Sequence, residues 1–176
     1  MADWVMASGD SEALPFAIVD KVTALLFVFD SRGSLQGSSP VLIGLARGDV
    51  EVPGLGDRKL SEIRPQERIT PAGRFVASIG RNLTGDVLWV DYDAALSVHQ
   101  VAANDPGASR LRRLASETPL DNRVSHGCVV VPAGFFDNVV KPAFSGTDGL
   151  VYILPEVKSI GEVFTGYDGE RQAGLR

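Results

Sequence analysis

The sequence predicts a single, mainly β domain, for three reasons. The chain has 176 residues, a length that suits one domain, and it shows no internal repeat. Its apolar residues occur in short runs separated by glycine, proline, asparagine and aspartate, a pattern typical of strands joined by turns. Apolar residues form 44% of the chain and charged residues 22%, so the domain can bury a core.

The first half of the chain predicts strands followed by a long loop. Strands are expected at 15–19, 24–29 and 40–46, with a turn at 31–34. Residues 24–29 are apolar on both alternating faces, which predicts that both faces of this strand are covered. Segment 47–71 is richer in glycine, proline and charge, and we interpret it as a surface excursion within the same domain.

The second half predicts further strands and a long connection. The expected strands lie at 75–79, 86–92, 96–101 and 149–154, and the second and third of these form a hairpin. The connection 102–122 is expected to hold a short helix at 109–115.

The clearest helix is expected to begin at Pro132, because a proline is tolerated in a first helical turn. One apolar face follows at the helical spacing of Phe135, Phe136, Val139 and Val140. Pro142 is expected to limit the other end. The tail after residue 155 is expected to be loosely held, so we divide the chain into an extension (1–14), a central domain (15–155) and a C-terminal tail (156–176).

Charge and hydropathy argue against a nucleic-acid-binding protein and against a membrane-spanning segment in this chain. The chain has 17 basic and 22 acidic residues, and its net charge of −5 argues against a nucleic-acid-binding protein, which needs a positive surface. No apolar run reaches the ~18 residues of a membrane span. The first residues also lack the basic start and apolar stretch of a secretory signal, so the protein is either cytosolic or a mature form.

The chain has one cysteine, Cys128, which excludes an internal disulfide and leaves a buried inert thiol, an intermolecular link or a nucleophile. Cys128 follows Arg123-Val124-Ser125-His126-Gly127 directly. A glycine beside a nucleophile lets the backbone approach a substrate closely, and consecutive N–H groups there can face a developing oxyanion. A thiol is only slightly ionised at neutral pH, so an imidazole must take its proton.

The chain has two histidines that could serve as this base. His126 lies two residues before Cys128, and in an extended segment both side chains project to the same side. His99 lies in the strand predicted at 96–101, where the small residues Ala95 and Ser97 share its face and leave space for a cleft. A distant histidine paired with a cysteine is the arrangement that cysteine acyl-transfer enzymes need. We consider metal binding unlikely, and no cofactor is expected, because acyl transfer explains all three residues.

These residues resemble a known family. Ser125-His126-Gly127-Cys128 is similar to the core motif of the L,D-transpeptidase (YkuD-type) catalytic domain. Three further segments resemble that family in the same order along 15–155: the opening strands at 25–29 and 41–44, the segment Ile69-Thr70-Pro71-Ala72-Gly73-Arg74-Phe75, and Leu96-Ser97-Val98-His99.

The resemblance implies a β-sandwich with one helix after the catalytic cysteine and a long connection before it. It also implies a ping-pong reaction on peptidoglycan stem peptides. The thiolate of Cys128 attacks the carbonyl at an L-centre, D-alanine leaves, and an amine resolves the thioester. His99 is the implied base, while His126, Gly127 and Cys128 line the oxyanion region through backbone N–H groups and Ser125 shapes the turn.

Three features depart from the family pattern. Val130 stands where the family usually has arginine or asparagine, and the interval of 29 positions from His99 to Cys128 is longer than usual, which predicts a lid or a substrate-contacting excursion. Gln100 follows the histidine, where a small residue is common, and its backbone carbonyl can still be the third member of the triad. We therefore name Gln100, Arg123 and Val130 as candidate substrate-binding residues.

A basic cluster in the long connection has two readings. Arg110, Arg112 and Arg113 are either solvated surface residues or a group that attracts the carboxylates of stem peptides.

The resulting hypothesis is an exported L,D-transpeptidase of the periplasm or cell wall, with carbapenems as covalent inhibitors. One alternative is an L,D-carboxypeptidase that uses water as the acceptor. The other is a cell-wall-binding module that has lost activity, which the valine at position 130 favours and the intact thiol opposes.

Overall fold

The computed structural model describes residues 1–103 and 109–167. Within these residues the secondary structure is mainly β, as the sequence predicts. The strands are β1 (Phe16–Asp20), β2 (Leu25–Phe29), β3 (Leu35–Pro40), β4 (Ile43–Gly44), β5 (Gly73–Asn82), β6 (Gly85–Asp91), β7 (Leu96–Gln100), β8 (Arg123–Ser125), β9 (Val129–Val131) and β10 (Gly149–Ile153).

Eight of these strands form one mixed sheet in the order β3-β2-β1-β10-β5-β6-β7-β9, while β4 and β8 form a separate parallel pair. β1 runs parallel to β10 and β7 runs parallel to β9, and the other neighbours are antiparallel. The long strand β5 pairs with β10 through residues 73–77 and with β6 through residues 78–82. β5 therefore joins two halves of the sheet, one formed with β3, β2, β1 and β10 and the other with β6, β7 and β9.

The main core joins these two halves. Buried side chains of β1 and β2, such as Val19 and Val28, belong to the same apolar cluster as Val98 of β7 and Val131 of β9. Phe136, from the helical segment after β9, is also fully buried there. Two apolar sheet faces that share one core form the sandwich-like arrangement expected from the sequence.

The predicted hairpin is confirmed as β6 and β7, and the last predicted strand is confirmed as β10. The third predicted strand is wrong in position, because β3 occupies Leu35–Pro40 and only Ile43–Gly44 of the later segment forms a strand. β3 is a polar strand at the edge of the sheet, largely exposed, so it lacks the apolar alternation by which strands are recognised. The prediction for β2 is right for one face only, since Leu25, Phe27 and Phe29 are only partly buried.

A helical segment follows Cys128, as predicted, and consists of α3 (Ala133–Phe135), a π-helical turn (Phe136–Val140) and α4 (Lys141–Phe144). The expectation that Pro142 ends the helix is wrong, because this residue lies inside α4. The N–H of Lys141 donates to the carbonyl of Phe136, five residues earlier. This wider turn directly precedes the proline and lets the chain continue past it.

Both ends of the described chain pack against the sheet. α1 (Ala2–Ser8) buries Val5 in a second apolar cluster with Tyr152 of β10 and with Phe164, which follows α5 (Ile160–Val163). The tail is therefore not loosely held over residues 156–167, and residues 168–176 lie outside the described part. Of the connection 102–122, the predicted helix is confirmed as α2 (Ser109–Leu114), and residues 104–108 are not described.

No helix within residues 1–103 and 109–167 has the length and apolar character that a membrane crossing requires.

Candidate active site

The sheet register brings the predicted histidine and cysteine together. β7 pairs in parallel with β9, so that Val98 lies opposite Val129 and His99 lies opposite Val130. Side chains alternate along a strand, and Cys128 lies two residues before Val130, so Cys128 and His99 point to the same side of the sheet. Ser97, two residues before His99, points to that side as well, and its hydroxyl lies 3.7 Å from the Cys128 sulfur.

His99 and Cys128 shift each other's pKa toward the ion pair. Burial by itself would raise the pKa of the Cys128 thiol, but the hydrogen bond and positive charge of His99, with Ser97, bring this pKa below its ordinary value. Burial would likewise lower the pKa of His99, but the hydrogen bond and negative charge of Cys128, with the Gln100 carbonyl, together outweigh burial and raise it. Both shifts stabilise a thiolate beside an imidazolium relative to the same two groups apart.

A backbone carbonyl accompanies Cys128 and His99 as the hydrogen-bond partner of the imidazole. The Nδ1 atom of His99 lies 2.9 Å from the carbonyl oxygen of Gln100, which is where the sequence interpretation expects it. With Nδ1–H donating to this carbonyl, the Nε2 atom is left to face the sulfur. The Gln100 carbonyl thus fixes both the tautomer and the orientation of the ring.

The turn between β6 and β7 supplies a second acceptor for the thiol. The sulfur of Cys128 lies 3.4 Å from the carbonyl oxygen of Ala95, and Ala95 has a left-handed backbone with φ of 51°. A side chain with a Cβ adopts this region at a cost. The strained turn places the carbonyl beside the sulfur, where it can hold the proton of the neutral thiol.

Two buried hydroxyl groups hold the loop that carries Cys128. The Ser125 hydroxyl donates to the Cys128 carbonyl (2.6 Å) and accepts the Gly127 N–H (3.1 Å). The Thr70 hydroxyl donates to the Gly127 carbonyl (2.7 Å) and accepts the Gly44 N–H (2.8 Å). The Gly127 N–H, expected to face a developing oxyanion, is therefore engaged inside the loop. The N–H groups of His126 and Cys128 are the remaining candidates for that role.

Gly127 is required by its conformation and by its surroundings. Its φ of 139° is a value that residues with a side chain rarely adopt. A Cβ at this position would also lie 2.9 Å from the carbonyl oxygen of Ile69. The second constraint comes from the close approach of the loop to the end of segment 47–71.

Cys128 opens into a cavity of about 160 Å³ that it lines together with His126 and Gly127. Segment 47–71 supplies most of the remaining lining, mainly through the apolar residues Val52, Leu55, Leu60, Ile63 and Ile69. The sequence interpretation of this segment as a surface excursion missed its position over the thiol. Glycine, proline and charge identify a loop but not what the loop covers.

Two charged residues line the cavity, the ion-paired Arg58 and the exposed Glu51. Arg58 makes two 3.0 Å bonds to the carboxylate of Glu67 and is held in the wall by them. Glu51 also lines the cavity and is exposed. An entering substrate thus meets a mainly apolar surface with one exposed carboxylate.

His126 is close to the site but is not the thiol's partner in ionisation. It is half-buried in the cavity wall, and burial, with the nearby charges of Arg68 and Arg110, lowers its pKa. His126 is therefore neutral at neutral pH, and its ring is a wall of the cavity. Of the predicted basic cluster, Arg110 also acts on His99, whereas Arg113 donates to the Asp121 carbonyl (2.8 Å) on the surface.

Two residues named as substrate-binding candidates are covered by other parts of the chain and do not line the cavity. Val130 is 2% exposed and packs with Leu42, and its backbone exchanges two 2.8 Å hydrogen bonds with that residue. Arg123 forms an ion pair with Glu156, and its guanidinium also donates to the carbonyls of Gly44 and Ala46. Neither side chain lines the cavity, so contact of Val130 or Arg123 with a substrate stays a prediction.

The sequence analysis missed a buried ionic cluster behind the loop, formed by Lys21, Asp49, Arg123 and Glu156. Its members are single charged residues far apart in the chain, and no pattern in the sequence signals that they meet. Within the described residues, no group of three or more histidine, cysteine, aspartate or glutamate side chains is placed to hold a metal ion.

Comparison with known proteins identifies the fold. No protein-family model matches the chain, and no curated protein matches its sequence. Among solved structures, the helical cell shape determining protein Pgp2 from Campylobacter jejuni matches with a TM-score of 0.56 and 13% identity, over 90% of this chain and 57% of that one. An L,D-transpeptidase from Mycobacterium tuberculosis H37Rv matches with a TM-score of 0.50 and 15% identity, over 79% of this chain and 57% of that one.

The chain thus spans somewhat more than half the length of these two proteins. At these identities the likeness establishes the fold, which is that of L,D-transpeptidase catalytic domains.

Proposed function

We propose that this protein is a cysteine acyltransferase of the L,D-transpeptidase kind, acting on peptidoglycan stem peptides. The observation that carries the proposal is geometric: the pairing of β7 with β9 places His99 and Cys128 together where Cys128 opens into the cavity, and the Gln100 carbonyl holds the imidazole. The lowered pKa of the thiol agrees with this arrangement. A partly exposed thiolate at the floor of a cavity is a nucleophile, whereas an inert structural cysteine keeps a raised pKa. The shared fold makes a stem peptide the first substrate to test.

In the first half-reaction, His99 takes the thiol proton and the sulfur attacks the carbonyl carbon that links an L-centre to the terminal D-alanine. The carbonyl oxygen becomes an oxyanion, which the N–H groups of His126 and Cys128 stabilise. The C–N bond then breaks, and the proton on His99 passes to the departing amine. D-Alanine leaves and a thioester on Cys128 remains.

In the second half-reaction, an amine acceptor enters and gives a proton to His99 as its nitrogen attacks the thioester carbonyl. The C–S bond breaks, and the sulfur recovers the proton from His99. With a second stem peptide as acceptor, the product is a cross-link; with water, it is a shortened peptide. The same residues serve both outcomes, so the acceptor decides between transpeptidase and carboxypeptidase.

Two further statements follow from this proposal. The substrate lies outside the cytoplasmic membrane, so the protein acts in the periplasm or the cell wall. Carbapenems are expected to acylate Cys128, because their strained carbonyl can react with the thiolate as the stem peptide does. A wall-binding module without activity would have no need for a thiol paired with an imidazole.

The test is incubation of the protein with a disaccharide-tetrapeptide, with and without a D-amino acid acceptor, followed by mass spectrometry. Exchange of the terminal residue supports transpeptidation, and tripeptide alone in both samples supports carboxypeptidase action. Cys128→Ala is expected to abolish both products and to unfold at the same temperature as the wild type. Thr84→Val serves as the matched control, since Thr84 lies on an exposed turn and bonds only Asn82.

Intact-mass measurement after carbapenem treatment gives an independent readout. The wild type is expected to gain the mass of one inhibitor, and Cys128→Ala is expected to gain none. A folded wild-type protein that neither releases D-alanine nor gains this mass would overturn the enzyme proposal in favour of the wall-binding module.

A further inference from the structure

A lysine with no exposed side-chain surface lies behind the cysteine loop. The Nζ atom of Lys21 lies 2.6 Å from the Gly48 carbonyl, 2.8 Å from the carboxylate of Asp49 and 2.8 Å from the Thr70 carbonyl. Three oxygen acceptors satisfy the three donors of an ammonium group. Burial of such a charge costs several kcal/mol, so its placement against a particular carbonyl requires explanation.

The partners of Lys21 are held from a second segment of the chain. The carboxylate of Asp49 also accepts the backbone N–H groups of Glu156, Val157 and Lys158, at 2.7–2.8 Å. The carboxylate of Glu156 pairs with Arg123 and accepts the Gly48 N–H at 3.1 Å. The buried cations Lys21 and Arg123 thus balance the buried anions Asp49 and Glu156, and the exposed Arg47 also pairs with Glu156 at 3.2 Å. Together these contacts fix the end of segment 47–71.

Thr70 connects this buried ionic cluster to the reactive loop. Its carbonyl accepts from Lys21, and its hydroxyl donates to the Gly127 carbonyl at 2.7 Å. Thr70 is itself 2% exposed. The hydroxyl also accepts the Gly44 N–H at 2.8 Å, so its single proton is directed at Gly127.

The peptide bond between Gly127 and Cys128 transmits this contact. A peptide unit is planar, and in the trans form its C=O and N–H point in opposite directions. No cis peptide bond occurs among the described residues. A hydrogen bond that fixes the Gly127 carbonyl therefore also fixes the direction of the Cys128 N–H, one of the two donors proposed for the oxyanion.

We infer that Thr70 is a positioning residue for acyl transfer, which aims the Cys128 N–H at the oxyanion while Lys21 holds Thr70 in place. This inference rests on the proposed chemistry at Cys128. It assigns a purpose to the buried ionic cluster, namely to anchor the segment from which Thr70 reaches the loop. Thr70 acts through the backbone of Gly127 and does not touch the reacting atoms.

The test compares two reactions of the same thiol in purified protein. Acylation by p-nitrophenyl acetate forms a thioester, releases p-nitrophenolate and passes through an oxyanion. Alkylation by iodoacetamide forms a thioether, releases iodide and passes through none. The ratio of the two rate constants therefore measures oxyanion stabilisation separately from thiolate content, and it needs no stem peptide.

Thr70→Val is expected to slow acylation about 10- to 100-fold, a part of the ~10²–10³ lost when an oxyanion donor is removed outright. Alkylation and its pH profile are expected to stay unchanged, because His99 and Cys128 are untouched. Thr70→Ser keeps the hydroxyl and is expected to keep the ratio within a few-fold of the wild type. Thr84→Val, on an exposed turn, is the control for loss of a threonine hydroxyl.

If Thr70 had only a structural role, Thr70→Val would lower the melting temperature and either change the acylation and alkylation rates by the same factor or leave both unchanged. Either result would overturn the inference. It would also be overturned if Thr70→Ser lost acylation as Thr70→Val does, or if wild-type protein reacted with iodoacetamide but not with the ester. Should Thr70→Val fold poorly, the serine variant and the rate ratio of the folded fraction still decide. A wild type with the expected ratio that released no D-alanine from stem peptides would refute the proposed substrate alone.

Discussion

Replacement of Lys21 by methionine tests whether the buried ionic cluster stabilises the fold. Methionine has a similar length but neither charge nor donors. Asp49 would therefore lose its ammonium partner inside the protein, while Glu156 would keep its ion pairs with Arg123 and with the exposed Arg47. The side chains of Lys21, Asp49 and Glu156 are at most 1% exposed, and that of Arg123 is 10% exposed. Water therefore cannot take the place of the lost ammonium group.

The magnitude follows from the cost of leaving a buried charge without its partner. Removing one member of a buried ion pair costs about 3–5 kcal/mol of unfolding free energy. For a domain of this size, each kcal/mol corresponds to about 2–4 °C, so the melting temperature should fall by about 6–20 °C. Burial alone would raise the pKa of Asp49, and it is Lys21, with three backbone N–H groups, that holds this pKa well below its usual range.

The assay is urea unfolding followed by the fluorescence of Trp4 and Trp89, with Lys59→Met as the control. Lys59 is exposed, and its replacement should change the unfolding free energy by less than about 0.5 kcal/mol. If Lys21→Met lost less than about 1 kcal/mol, as an ordinary surface substitution does, the reasoning from burial would be refuted.

Two further predictions concern the reactive loop. His99→Ala should move the midpoint of the pH profile for iodoacetamide alkylation, followed by mass spectrometry, to higher pH. Burial raises the pKa of Cys128, and in this variant no imidazole lowers it. An unchanged midpoint would contradict the pairing of His99 with Cys128. Gly127→Ala should lower the unfolding free energy by about 1–3 kcal/mol and slow acylation, because of the positive φ and the 2.9 Å approach of the Ile69 carbonyl. Its control is Gly134→Ala, where a Cβ would meet nothing nearer than 3.9 Å, and equal melting temperatures for the two variants would refute the argument.

The proximity of Cys128 and His99 could be predicted from sequence because both residues lie in or beside strands. Alternation places Ser97 and His99 on one face, and β9 begins directly after Cys128. The structure adds the parallel register that brings the two faces together, which local pattern does not specify. The carbonyl of Gln100 could be named because it is adjacent to His99 in the chain.

The ionic cluster could not be predicted, for a physical reason. Lys21, Asp49, Arg123 and Glu156 are far apart in sequence, and each is a single charged residue beside a turn or strand end. Charged residues in such places are usually solvated, so composition and periodicity favour the wrong interpretation. For Arg123 in particular, its position near Cys128 in the chain favoured an interpretation as a substrate-binding residue. Only the assembled fold shows that these charges meet behind the loop.

The bonds between Asp49 and residues 156–158 bear on how far the autonomous folding unit extends. A truncated piece that stopped at residue 155 would lose the three N–H groups that Asp49 accepts, together with the carboxylate that neutralises Arg123. It would also release Phe164 from the cluster that covers α1. Expression of such a fragment would therefore loosen segment 47–71, which lines the cavity beside the thiol.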